Sequence, residues 1–380
     1  MDVFGFGLMH LEELIKKVEK AIADPKYYEL REFWKNFYAL EETERVPIRV
    51  TLTMRFFAKN LGIDLIDHYR EPEQFIEDSL RILSFQHEQI LEDRVISGIK
   101  IVFGEPFESS LFGSKPSFMS DCDPLLGEPI IETDEDLEEL DYPDFYKSGL
   151  MPKIIEIYEA AEKMLKGRIP VFFERWDRSP WGVAAHLRGY YELLMDTYRN
   201  PDFVHKLLSF ITESRIRWER EKEKFLGVKT ELGFLYNDEV HAKVVSPEIY
   251  QVFAYPYEKK LADFYPKGIF YFHSCGDITP FLGTIASIRG LRRLHISPST
   301  DLRKAVSEVG GRFVFEKRMD PLRDLKKCDE EAMRSKVREV LKVGRDVSMQ
   351  LDPGPIQDVP LEKIKTWIKI ARKEIKLEKG

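Results

Sequence analysis

Residues 271–280 read YFHSCGDITP, placing His273 and Cys275 two apart after an apolar run and just before Gly276 and Asp277. On a continuing strand, side chains two apart point to the same side, with Cα atoms about 6.5–7 Å apart. Both side chains can then reach one metal ion, with bonds of about 2.0 Å to nitrogen and 2.3 Å to sulfur. Gly276 supplies backbone freedom for the turn, and Asp277 is placed to cap a helix starting near 278. The competing reading is a buried thiol beside a hydrogen-bonded histidine.

A second stretch, YNDEVH at 236–241, offers Asp238, Glu239 and His241 at the tip of another strand. Any of the three can supply a third bond and leave a fourth position open, which is the arrangement of zinc acting on a substrate. Mixed oxygen, nitrogen and sulfur donors favour zinc over magnesium or calcium, which take oxygen alone. The same acids also serve as ordinary helix caps. ERWDRSPWG, from 174 to 182, packs two tryptophans, two arginines and two acids into nine residues. Trp176 and Trp181 can wall a planar ligand, and Arg175 or Arg178 can grip a carboxylate. Alternatively, Arg178 pairs internally with an acid and the tryptophans cover the mouth of the fold. His295, before ISPSTD, either faces a substrate or fixes a loop.

These stretches need elements to position them. Residues 11–95 are mostly of helical period, as in LEELIKKVEKAI and EQFIEDSLRILSF, interrupted by the strand-like VPIRVTLTM at 46–54. Residues 97–148 change character: ISGIKIVFGEP reads as a short strand pair, and the rest is rich in turn residues and acids, an insertion on the fold. From 151 onward helices alternate with the strands IPVFFE, ELGFLY, GIFYFH, LRRLHI, RFVFEK and VSMQL, closed by the helix LEKIKTWIKIARKEI. Two helices are expected across 182–223, and one each near 278–288, from 301 and over 329–343. With 46–54 this makes seven strands of parallel βα units, one short of a closed eight-stranded barrel, and an open sheet is the rival. Either architecture places active groups beyond the carboxyl ends of the strands.

The bulk numbers bound the rest. A chain of 380 residues, 43% apolar, buries a substantial core, and its formal charge of −8 gives no basis for a standing contact with nucleic acid or anionic membrane. Three cysteines, Cys122, Cys275 and Cys328, are too few for a disulfide framework and fit a reducing compartment. With no export signal at the start and no run of roughly 20 apolar residues, the expectation is a soluble, cytoplasmic protein. No dinucleotide fingerprint, phosphate loop or Gly-x-Ser-x-Gly elbow is present. The apolar faces of the first helices suit core packing or contact with a second copy.

From about residue 45 to the end the chain resembles the uroporphyrinogen decarboxylase superfamily, and within it the cobalamin-dependent methyltransferases. The resemblance rests on RVPI, GEPIIETDEDLEELDYPD, LRGYYELLMDTYRNPDFVHKLLSFITE, YNDEVHAKVVSPEIYQVFAYPYEKKL and YFHSCGDITPFL, in that order. It implies a single-domain (β/α)8 TIM barrel at 45–380, with an insertion around 97–148 and an N-terminal helical extension at 1–44. It further implies zinc on His273 and Cys275, with acids in the place of Asp238 and Glu239. Decarboxylases of the superfamily carry an arginine-rich segment that here reads TMRFFAKNLG, keeping Arg55 without the rest. The late cysteine of thiol-methylating members is missing from MQLDPGPIQDVP, which leaves Glu239 or Asp238 as the third ligand. The resemblance therefore implies a methyl transfer from a small methoxylated, aromatic substrate to reduced cobalt. Glu239, His241 and Asp238 stand in the catalytic positions, and Trp176, Arg178, Trp181, His295 and Arg55 face the substrate. Because no Asp-x-His-x-x-Gly is present, the corrinoid (cobalamin) has to arrive on a separate protein partner. The alternatives are a metal-free decarboxylase or lyase and a non-catalytic binding protein on the same fold.

Overall fold

The structure is a computed structural model that describes residues 3–90 and 92–379. Seven strands run through it: β1 (Ile99–Lys100), β2 (Val171–Phe172), β3 (Gly233–Tyr236), β4 (Ile269–His273), β5 (Arg293–Ile296), β6 (Val314–Arg318) and β7 (Met349–Asp352). β3 to β7 pair in sequence order as one parallel sheet, and β1 pairs in parallel with β2. Single bridges extend the wall at both ends. Arg178, on the chain leaving β2, bridges Tyr236 of β3; Ile48 and Leu52 bridge Leu351 and Ile356 beside β7.

Eight parallel segments therefore stand side by side, from β1 through β7 to residues 48–52. Among the described residues no ladder joins 48–52 directly to β1. The seam is crossed instead by residues 92–94: Asp93 N–H donates to the Ile48 carbonyl at 2.8 Å, Asp93 Oδ2 accepts from Ile48 N–H at 2.7 Å, and Glu92 accepts from Val50 N–H. The eighth segment lies in the stretch expected to be a strand pair. Instead of folding back as a hairpin, the chain pairs with β2 only at 99–101, with Ile99 and Ile101 buried outward and Lys100 and Val102 open to the interior.

Local chemistry sets the helices. Ser179 accepts from Gly182 N–H at 3.0 Å and Pro180 opens the helix Pro180–Arg188. Asn200 and Pro201 start the long helix Pro201–Leu226 in the same way, and Gly227 ends it at φ 67°. The stretch 182–223 thus holds three helices rather than two, divided at Gly189 and Asn200. Near 278–288 the expected helix breaks into a 3₁₀ turn, Thr279–Phe281, and one turn of α-helix, Leu282–Ile285.

The N-terminal helices Val3–Ile22 and Pro25–Tyr38 close the amino end of the strands. The Tyr38 ring meets Phe270 at the start of β4 edge-on at 5.1 Å, and Trp34 Nε1 donates to the Asp93 carbonyl at 2.6 Å. Ile15, Val18 and Ala21 are buried within the chain, so this apolar face belongs to the core rather than to a second copy. Among the described residues no helix is long and apolar enough to cross a membrane.

Candidate metal centre

β4 is the apolar sequence Ile-Phe-Tyr-Phe-His, whose aromatic side chains suit a buried parallel strand, and its last residue is His273. The imidazole is clamped between the ring of Tyr236 on β3, centroids 4.8 Å apart, and the ring of His295 on β5, 4.1 Å apart at 14°. Tyr271, two residues earlier on the same side of β4, places its hydroxyl 2.9 Å from His273 Nδ1. With a metal bound, the ring proton would sit on Nδ1, directed at Tyr271, and the Nε2 lone pair would be free for the metal. Nε2 meets Cys275 Sγ at 3.3 Å and Asp238 Oδ1 at 3.4 Å.

Asp238 reaches this point because the chain leaving β3 is pinned. Asn237 N–H donates to the His273 carbonyl at 2.8 Å, and Asn237 Nδ2 donates to the buried Glu258 at 2.5 Å. Tyr250, on a π-helical turn at Tyr250–Ala254, donates its hydroxyl to the other Glu258 oxygen at 2.6 Å. Asp238 Oδ1 also accepts the Cys275 N–H at 2.8 Å, locking the two tips together. Gly276 has a steric role: a Cβ there would collide with the His241 side chain. The expectation of backbone freedom at this glycine is replaced by close packing.

Asp238 Oδ1, His273 Nε2 and Cys275 Sγ all lie within 4.8 Å of one another. In a tetrahedral zinc site with bonds of about 2.0–2.3 Å, neighbouring ligand atoms sit roughly 3.4–3.6 Å apart. The two separations from Nε2 fall at that spacing before any ion draws the groups together, so the residues fit the metal. Burial raises the Asp238 carboxyl, but the charge of and hydrogen bond to His273, together with Arg178 and the Cys275 N–H, outweigh it and hold the group far below the usual range. Burial pushes the Cys275 thiol up to about 12, aided by the charge of and hydrogen bond to Asp238. Without a cation the thiol keeps its proton; a metal has to displace it. His295, lowered far below its usual value by burial first and then by His273 and Arg318, is neutral, with Nδ1 2.6 Å from the Ser274 carbonyl.

Glu239 is not part of this cluster. Its side chain turns to Arg178, with which it forms a short ion pair, and to His186 Nε2 at 3.1 Å. Arg178 Nη2 also reaches Glu105 at 3.3 Å. Glu105, His186 and Glu239 form a second group with metal-like spacing, but the Arg178 guanidinium already provides its positive charge. Of the two adjacent acids expected at the metal, Asp238 lies with His273 and Cys275, whereas Glu239 lies with Glu105 and His186 and is paired to Arg178 from the β2 tip. His241 packs over Gly276 and joins neither group.

The expected substrate-facing residues separate. Trp176 and Trp181 are each 1% exposed; Trp176 packs on Phe112 and Trp218, so the aromatic pair is core rather than a ligand wall. Arg178 is consumed by Glu239 and Glu105, and Arg175 by Asp177 at 2.5 Å. His295 is buried under His273 and does not reach a cavity. Arg55 remains open: half-exposed, 3.5 Å from Asp358, it lines a cavity of about 970 Å³. A second cavity, about 630 Å³, extends to Asp238, Tyr236 and Arg178, and the two share Lys100, Val102, Gly104 and Glu105 as a common wall. Sequence reading missed Tyr271, His186, Glu105 and Glu258. Tyr271 alone carried a signal, its spacing of two from His273.

Residues 35–374 match the family described as uroporphyrinogen decarboxylase (URO-D). The chain belongs to the URO-D family. Its relatives include the uroporphyrinogen decarboxylase of Campylobacter lari, 24% identical over 278 residues, covering 67% of this chain and 73% of that one. The uroporphyrinogen decarboxylase of Sulfurimonas denitrificans is also 24% identical, over 275 residues, 68% of this chain and 74% of that one. Among solved structures, a methyltransferase from Methanosarcina mazei superposes with a TM-score of 0.68 at 16% identity, over 90% of this chain and 98% of that one. That likeness is one of fold. The URO-D fold thus spans proteins named for two chemistries, and the residues at the strand tips have to separate them.

Proposed function

We propose that this URO-D-family chain is a zinc-dependent methyltransferase that moves a methyl group from a small methoxylated aromatic compound to the reduced cobalt of a separate corrinoid protein. The observation that carries the reading is the Asp238, His273 and Cys275 cluster, three different donors at ligand spacing beside an open cavity. A decarboxylase that works on its substrate through arginines has no need for a thiol and an imidazole 3.3 Å apart at the mouth.

Zinc, when bound, supplies Lewis acidity toward an ether oxygen and so stabilises charge developing on it. The chain's residues do the rest. Tyr271 and the flanking rings of Tyr236 and His295 hold the His273 imidazole in one orientation, so Nε2 need not reorganise. Asp238, fixed through Asn237, Glu258 and Tyr250, brings a carboxylate that offsets the metal's charge. The partner's reduced cobalt would supply the electron pair that takes the methyl carbon from the ether oxygen. The former C–O pair stays on the oxygen, which leaves as a phenolate and takes its proton from water.

The test is a single-turnover assay: purified protein with zinc, a reduced corrinoid protein and a panel of methoxylated aromatics, following the cobalt spectrum and the released phenol. The expected result is transfer that needs zinc and disappears in Cys275→Ser and His273→Ala. Transfer that persists in both variants, or turnover of a porphyrinogen by metal-free protein, would replace this reading with the decarboxylase one.

A further inference from the structure

The cavity of about 970 Å³ is lined on both sides of the seam, by residues 51–55 and by residues 94–100, and extends to the helices Leu65–Arg70 and Pro72–Gln89. At that outer end Phe75, Ile82 and Leu83 give it an apolar surface, with two polar side chains set among them, His68 and Asp123. Neither belongs to the metal centre or to the Glu239 group.

His68 is only 3% exposed and is held from several directions. Its Nδ1 lies 3.3 Å from Oδ2 of Asp78, a fully buried carboxylate that Arg81 fixes at 2.9 Å and Gln74 at 3.1 Å. Arg81 is anchored in turn on the Leu61 carbonyl. The Phe75 ring leans on the imidazole at 4.6 Å, and the Tyr69 ring meets it edge-on at 4.8 Å. In the neutral ring the Asp78 carboxylate fixes the proton on Nδ1 and leaves a lone pair on Nε2. Among the described residues Nε2 has no partner, although the ring borders the cavity. Asp123 faces His68 across the same space. Burial raises its carboxyl, against its own N–H, the Met54 N–H and the charge of His68, which lower it.

Two acceptors set in an apolar wall call for a donor carried on an apolar body. An ammonium group would meet Arg49, Arg55 and Arg94 in the same cavity, and like charges repel there. A hydroxyl brings the donor without the charge. We propose that His68 and Asp123 form a hydroxyl subsite, so that the compound bound in this cavity carries an alcohol or phenol group. The hydroxyl lies between His68 Nε2 and the Asp123 carboxyl, and the apolar body rests on Phe75, Ile82 and Leu83. Asp78 touches no ligand; it is a positioning residue that orients the imidazole. That the hydroxyl belongs to the methyl donor rests on the methyl-transfer reading; the subsite does not.

Calorimetric titration with 4-methoxyphenol and with 4-methoxytoluene, in which a methyl replaces the hydroxyl, tests the subsite. The proteins are zinc-supplied wild type, His68→Asn, His68→Gln and Asp123→Asn, with zinc content measured for each. An asparagine amide reaches the place of Nδ1 and keeps the bond to Asp78 while removing Nε2; a glutamine amide reaches the place of Nε2. The wild type should bind the phenol about 10-fold tighter than its methyl analogue. His68→Asn should lose that preference, His68→Gln should keep part of it, and Asp123→Asn should reduce it, all with unchanged zinc content. No preference in the wild type, no binding of either probe, or a preference that survives His68→Asn overturns the subsite; the last is what a phenol bound only at zinc would give. If His68→Asn folds poorly, the partly buried Asp123→Asn decides: a reduced preference supports the subsite and a full one overturns it. A preference that depends on His68 in a protein that takes up no zinc would sink the methyl-transfer reading and leave the subsite standing. Zinc-dependent methyl transfer without the preference would do the reverse.

Discussion

Asp238 and Glu239 are adjacent acids at one strand tip, and truncating each to alanine should produce opposite phenotypes. Glu239 accepts from Arg178 and from His186, and the Arg178 side chain is only 8% exposed. Removing one partner of a buried ion pair typically costs about 3–5 kcal/mol. Here Arg178 keeps Glu105 at 3.3 Å, a partner that is itself half in solvent, so the expected cost is at the low end, about 2–4 kcal/mol. That shifts a urea midpoint by roughly 1 M. Asp238 accepts from the Cys275 N–H and faces His273 from a side chain that is 29% exposed, so Asp238→Ala should cost less, about 1–2 kcal/mol. Zinc binding should reverse this order. Asp238→Ala should lose more than the roughly 10- to 100-fold that an outer partner is worth, whereas Glu239→Ala should retain zinc. Urea unfolding and zinc competition on the two variants decide it. A Glu239→Ala protein with wild-type stability and no zinc would refute the assignment of roles.

Three further outcomes follow from the same geometry. Because burial and Asp238 push the Cys275 thiol up to about 12, zinc has to displace its proton across the whole neutral range; wild-type affinity should rise with pH between about 6 and 9, by up to tenfold per unit, and an affinity independent of pH would contradict a thiolate ligand. Tyr271→Phe should leave the fold intact while weakening zinc about 10- to 100-fold, since only the hydroxyl on His273 Nδ1 is lost; unchanged affinity would remove Tyr271 from the site. Trp176→Ala should cost about 3–5 kcal/mol in unfolding experiments, and Trp176→Phe should leave ligand affinity unaltered, because the indole packs on Phe112 and Trp218 rather than on a ligand.

Much of the architecture was legible because it is periodic. The βα alternation from 151 onward and the positions of β3 to β7 follow from aromatic and branched runs separated by helix-length segments. β1 was expected as one arm of a short strand pair and not as a strand of the barrel wall, because its inward residues, Lys100 and Val102, face a cavity instead of packed side chains. The His-x-Cys pair was readable from strand parity alone. The choice between Asp238 and Glu239 was not, since it depends on Arg178 arriving from another strand and on Glu258, some twenty positions away, fixing Asn237. The tryptophans misled for a related reason: composition near a strand tip does not say which side of the wall a side chain takes.

The most direct test of the account is the zinc content of the wild-type protein, purified without chelator and supplied with the metal, beside that of Cys275→Ser and His273→Ala. The account predicts one tightly held zinc per chain in the wild type and its loss in both variants, with their unfolding midpoints near wild type once the metal is removed. Wild-type protein that takes up no zinc, or variants that keep it, would contradict the claim that Asp238, His273 and Cys275 are a metal centre.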